Sequence, residues 1–126
     1  MRTFGPFSSG EGSGGAGAAE NNTSYDTTIK GRIKAVYVDY KDSPPATTDV
    51  IVKTLGVSPK APTQTILSLA DNNTSGWYYP VQQLHTTAGA AIAATYNDGI
   101  PVDDKINISI AQADDDDYVE IWLLVE

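Results

Sequence analysis

Between Asp104 and Glu126 the chain alternates apolar and polar residues in two runs. Ile106, Ile108 and Ile110 alternate with Lys105, Asn107 and Ser109; beyond Asp114–Asp117 the apolar phase resumes at Val119, Ile121, Leu123 and Val125. Successive side chains of a strand point to opposite faces, so branched aliphatics recurring every second residue predict half-buried strands. Four adjacent aspartates repel one another and favour water, which predicts an exposed connection. The stretch therefore reads as a hairpin on which the rest of the fold is built. A lone hairpin is at best marginally stable in water, so these seven aliphatic side chains require a second apolar surface. Tyr118, Trp122 and Leu124 fall on the opposite phase and also need cover, from this chain or from a partner.

The remaining sequence supplies short segments of the same kind. Ser24–Ile29 reads as a strand, and Arg32–Tyr40, rich in Val, Ile and Tyr, as a longer one. Pro44 and Pro45 end it, because proline offers no ladder donor. Asp49–Leu55 follows, then a loop with Pro59 and Pro62, then Gln64–Leu69. The polar cluster Asp71–Gly76 predicts a turn, and Trp77-Tyr78-Tyr79-Pro80 leads into Val81–Leu84. Ala90–Tyr96 is ambiguous: its alanines favour helix, its brevity and flanking glycines favour strand. About eight short strands at roughly ten-residue spacing predict an all-β antiparallel sandwich or barrel. At 126 residues one domain is expected, with its body over residues 21–126.

Residues 1–20 differ in kind. Six of them are glycine (Gly5, Gly10, Gly12, Gly14, Gly15 and Gly17), and only Phe4, Pro6 and Phe7 offer apolar surface in quantity. Such a composition predicts an extended, flexible arm, held in place by neighbouring subunits through Phe4 and Phe7. Truncation of residues 1–19 is expected to leave a folded protein.

A formal charge of −8 opposes binding to a nucleic-acid backbone, which needs clustered Lys and Arg. No apolar run reaches the length of a membrane span. Residues 1–10 lack the basic start and apolar middle of a signal peptide, so the Asn-x-Ser/Thr triplets at Asn22, Asn73 and Asn107 read as turn and strand chemistry. Cysteine is absent, excluding disulfides and thiolate catalysis.

Catalytic signals are weak. His85 is the single histidine, and a nucleophilic triad needs a base placed beside a hydroxyl and oriented by a third group. Asp39, Asp42 and Asp49 are available as a carboxylate pair, but such pairs are defined by separation in space. Asp114–Asp117 lacks the spacing and glycine of a calcium loop, so a solvated turn is favoured. Trp77, Tyr78 and Tyr79 suit either a sugar-stacking platform or a core and interface cluster; the second is favoured. No catalytic, metal or cofactor residue is assigned.

Several stretches together resemble small virion proteins of tailed bacteriophages. They are Gly31-Arg32-Ile33-Lys34-Ala35-Val36-Tyr37-Val38-Asp39-Tyr40, Ser43-Pro44-Pro45-Ala46-Thr47-Thr48-Asp49-Val50 and Thr65-Ile66-Leu67-Ser68-Leu69, followed by Gly76-Trp77-Tyr78-Tyr79-Pro80 and Pro101-Val102-Asp103-Asp104. The chain is most similar to the capsid decoration, or cement, proteins over roughly residues 25–126. The resemblance implies a β-sandwich of jelly-roll type without enzyme activity, made in the host cytoplasm and sited on the outer surface of the virion. It implies as partners the major capsid protein and further copies of the chain, as a homodimer or homotrimer, with neither nucleic acid nor membrane. The expected contact residues are Arg2, Phe4, Pro6 and Phe7 of the arm and Trp77, Tyr78, Tyr79 and Trp122 of the body. The main alternative is a carbohydrate-binding or fibre-type host-attachment module, with Trp77, Tyr78 and Tyr79 exposed and coplanar.

Overall fold

The computed structural model describes residues 1–23, 28–56 and 63–126, which form eleven strands and no helix. In chain order they are β1 (Arg2–Ser8), β2 (Ala19–Asn22), β3 (Ile29–Lys41), β4 (Asp49–Thr54), β5 (Thr65–Leu69), β6 (Gly76–Tyr78), β7 (Val81–His85), β8 (Ala91–Asp98), β9 (Ile100–Asp104), β10 (Ile106–Ala111) and β11 (Tyr118–Val125). The strand expected over Ser24–Ile29 falls mostly on residues 24–27, and the loop with Pro59 and Pro62 on residues 57–62; both lie outside the described residues. Ala90–Tyr96 resolves as strand β8.

All named strands pair antiparallel. One sheet runs β1-β11-β3-β6, with β9 also on β3; a second runs β2-β10-β4-β5; β7 and β8 make a third of two strands. The pairing is nested: β4 with β5, β3 with β6, β2 with β10 and β1 with β11. The first four strands thus form one side of a long ribbon and four later strands the other. Strands β7, β8 and β9 interrupt the returning side.

The expected terminal hairpin is the first correction. Strands β10 and β11 do not pair with each other; β10 lies between β2 and β4, and β11 between β1 and β3. The connection through Asp114–Asp117 crosses from one sheet to the other. The two apolar faces belong to the two sheets, and the residues of both join one core cluster. Twelve large aliphatic side chains are fully buried there, all but Leu123 β-branched. That composition suits a pleated surface, and each stabilises the fold by roughly 1.5–3 kcal/mol. Such a core needs no disulfide.

The glycine-rich arm is the second correction. Arg2–Ser8 is a full edge strand of the chain's own sheet, in register from Arg2 opposite Val125 to Ser8 opposite Glu120, with an irregularity between Phe4 and Phe7. Ala19–Asn22 pairs with Ile110–Asn107 in the other sheet. Residues 1–20 therefore do not separate from the body. Ser9 continues the tie: its N–H donates to Val119 O at 3.0 Å, and its buried hydroxyl accepts from Val119 N at 3.1 Å.

The glycines between these strands serve close approach. Ser13 and Ala18 bridge a tight turn that lies against the Asp114–Asp117 connection. Gly12 N–H donates to Asp117 O at 2.7 Å, Asp116 N–H to Gly12 O at 2.8 Å, and Gly14 N–H to Asp115 Oδ1 at 3.1 Å. A Cβ on Gly12 would lie 2.5 Å from Gly17 O, and one on Gly17 2.3 Å from the Ala113 carbonyl. Gly17 also has φ +52°, where side chains are disfavoured.

Candidate functional site

Because Val36 and Val38 are buried in the core, Tyr37 between them points to the outer face of the five-stranded sheet. The same phase places Trp122 outward between Ile121 and Leu123. Register then aligns Trp122 with Tyr37, and Tyr37 with Trp77 of β6. Three aromatic side chains consequently stand in one row across three adjacent strands. Tyr37 meets Trp77 at 5.3 Å between ring centroids and 64°, and meets Trp122 at 5.8 Å and 70°. These edge-to-face contacts are the favoured geometry for aromatic pairs. Together with Thr3 of β1 the rings line an open cleft of about 250 Å³. Trp77 is 45% exposed; Tyr37 and Trp122 are half-buried.

Trp122 needs a thin neighbour on its other side. A Cβ on Gly5 would lie 3.0 Å from the Trp122 indole and 2.7 Å from Ile121 O, so the irregularity of β1 is where the indole is accommodated. Beyond the row, Glu120 stands opposite Asp39 and Tyr118 opposite Lys41. Lys41 Nζ is 2.7 Å from Asp39 Oδ2; that hydrogen bond is the main cause of a raised Lys41 pKa. The face therefore has an aromatic centre and a charged border.

The expected contact residues scatter. Phe4 and Phe7 are partly buried against the chain's own core, on the phase of Leu123 and Ile121, so they anchor β1 within the molecule. Arg2 is exposed and its guanidinium lies 5.1 Å from the Phe4 ring centre. Pro6 is exposed in the irregular part of β1. Trp77 and Trp122 come together, joined by Tyr37, which sequence reasoning treated only as a strand residue. The run Trp77-Tyr78-Tyr79 splits: Tyr78 turns inward against the core, and Tyr79 is 72% exposed. The coplanar platform expected of a sugar-binding trio is not what these residues form.

Tyr78 instead belongs to a polar network under β6. Its hydroxyl donates to Thr74 O at 2.7 Å, and the Tyr40 hydroxyl donates to Asn72 Oδ1 at 3.2 Å. Burial, then Tyr78 and Asp49, raise the Tyr40 pKa above the ordinary phenol value. The native state thus holds the Tyr40 proton more tightly than the unfolded chain does. Its contribution to stability is fully present below about pH 10 and is lost progressively as pH rises from there toward the higher pKa of the folded state. Urea midpoints measured on the alkaline side of about pH 10 should fall with pH, and Tyr40→Phe should flatten that fall.

The other candidates do not assemble. His85 is exposed on β7 opposite Ala91. Asp39 pairs with Lys41, and Asp49 Oδ1 accepts from Asp71 N at 2.9 Å. Asp114, Asp115 and Asp116 are exposed, whereas Asp117 is buried with Oδ2 accepting from Asp114 N at 2.8 Å. Among the described residues no group of three or more His, Asp or Glu is placed to hold a metal ion.

No protein-family model, curated protein or solved structure matches this chain. Its chemistry is therefore read from the surface itself. That surface is an aromatic patch with a charged border on the flat face of a sheet.

Proposed function

We propose that the protein is a non-enzymatic virion component that decorates a bacteriophage capsid and stabilises it by bridging adjacent major capsid protein subunits. The observation that carries this reading is the Trp122–Tyr37–Trp77 row on the outer sheet face. Aromatic residues are enriched where surfaces meet and dominate binding energy when a border excludes water around them. A shell clamp needs contact area spread over neighbouring subunits more than it needs a deep pocket, and a sheet face provides it. The sequence resemblance to cement proteins points the same way.

The nested pairing supports a jelly-roll β-sandwich. With β7, β8 and β9 set aside, the other eight strands renumber to the orders 1-8-3-6 and 2-7-4-5, the arrangement made by rolling up one long antiparallel ribbon. Folds of this type recur in viral capsid domains. The docking role assigned to a free N-terminal arm passes to the aromatic face, since β1 and β2 are committed to the chain's own sheets.

Co-sedimentation with expanded, undecorated capsids tests the reading. Saturable binding is expected, with a blue shift of intrinsic fluorescence, because both tryptophans of the chain lie in the row. Trp77→Ala with Trp122→Ala should weaken occupancy roughly tenfold or more. Full occupancy by that variant, with its fold intact by circular dichroism, would refute the proposed face, and failure of the intact protein to sediment with capsids would refute the function.

A further inference from the structure

The hairpin β7–β8 stands apart from the rolled body. None of its residues is buried, and it forms a sheet of only two strands. Its base is fixed: Lys34 pairs with Asp98, Val81 bridges Gly99, and a Cβ on Gly99 would lie 2.7 Å from Ile33 O. Among the described residues, no further strand pairs with the ribbon. Of the six large hydrophobic residues exposed on the described surface, four lie between residues 77 and 96; Val81 at 51% and Tyr96 at 53% are on the hairpin. A two-stranded sheet with this exposure is marginal in water, so a third strand is the missing element.

Charge selects the occupant. Residues 72–97 contain no Asp, Glu, Lys or Arg, in a chain of formal charge −8 with 24 such residues, eight basic and 16 acidic. Two copies that meet here meet on neutral surface. The edges also differ. Strand β8 bulges between its pairings with Gln83 and His85, with Ala94 at φ +56°, and bulges obstruct further pairing. Strand β7 has no bulging excess, no charge and no internal proline. By contrast, edge strand β1 contains Pro6 and an irregularity, β2 contains Glu20, β5 carries an extra residue where its register with β4 shifts between Val52 and Lys53, β6 has three residues, and β9 contains Pro101 and Asp103.

We propose that β7 is a self-association edge, pairing antiparallel with β7 of a second copy to give a continuous four-stranded sheet β8-β7-β7-β8. Antiparallel pairing of a strand with itself has a two-fold axis, and the same patch on both copies closes the assembly as a dimer. In full overlap of the five-residue strand the axis passes beside the central residue, so Gln83 faces Gln83 of the other copy. The inference is independent of the capsid reading, since it concerns a different surface and is measured without capsids.

Sedimentation equilibrium of the full chain is the test. The wild type should be a dimer. Gln83→Lys and Gln83→Glu should each weaken dimerisation roughly tenfold or more, because like charges then face each other across the axis. An equimolar mixture of the two should restore a dimer containing one of each, and the neutral Gln83→Thr should remain dimeric. Circular dichroism and melting temperature check that each variant is folded. A monomeric wild type, a trimer, or a dimer indifferent to both charges overturns the proposal.

Discussion

Deletion of residues 1–8 should leave a chain with no cooperative thermal transition, or one that melts far below the full-length protein. Strand β1 covers the edge of β11 from Val125 to Glu120, and Phe4 and Phe7 pack against the core. Full burial of a phenylalanine stabilises by about 1.5–3 kcal/mol; the two partly buried rings each contribute a share of that, and the edge pairing adds its backbone hydrogen bonds. Against a total of roughly 5–15 kcal/mol for a domain, the loss removes much of the stability. It also opens the edge of a strand bearing Ile121, Leu123 and Val125, so aggregation on warming is expected. Circular dichroism melts decide the matter: a transition within a few degrees of the full-length value would mean that β1 is a dispensable arm after all.

Gly17→Ala should be a severely damaging methyl addition. Its Cβ would sit 2.3 Å from the backbone carbon and oxygen of Ala113 and 2.8 Å from Asp114 N. Those are backbone atoms, so no side-chain rotation relieves the clash. The positive φ of Gly17 adds strain for any side chain. A loss of about 3 kcal/mol is expected, or a fall of ~10 °C in melting temperature. Gly15→Ala provides the contrast within the same turn, because nothing lies within 4 Å of its added Cβ. It should change the melting temperature by no more than about 2 °C. Equal effects at the two positions would contradict the close packing of this turn on the β10–β11 connection.

The strands were legible because alternation is a local property. Ile106, Ile108 and Ile110, and Val119, Ile121, Leu123 and Val125, all reach the core as their phase predicted. Which strands pair is not local. Two consecutive alternating runs look the same whether they lie side by side or face each other across a core, and here they face each other. The glycines misled for a related reason: composition cannot separate a glycine that loosens the chain from one that lets two backbones touch. Gly12 and Gly17 are of the second sort. The aromatic row was half legible. Trp122 carried the signal of a bulky aromatic off the core phase, Tyr37 carries the same signal midway along β3, and Trp77 stood out only as part of an aromatic run. Only the register that sets Trp122, Tyr37 and Trp77 side by side joins them into one surface. Tyr78, next to Trp77, falls away from it because neighbours in a strand point to opposite sides, and Tyr79 lies beyond the end of β6.

The nested ribbon also orders events in time. Strand β1 is the first synthesised and β11 the last of the described strands, yet each is the other's neighbour. The innermost pair, β4 with β5, can close while the chain is still growing, followed by β3 with β6 and β2 with β10. Phe4, Phe7 and the Gly12–Gly17 turn must wait, unsheltered, until translation has passed Val125. Such distant pairings make folding slow, so during synthesis the oldest part of the chain is the last to find its place.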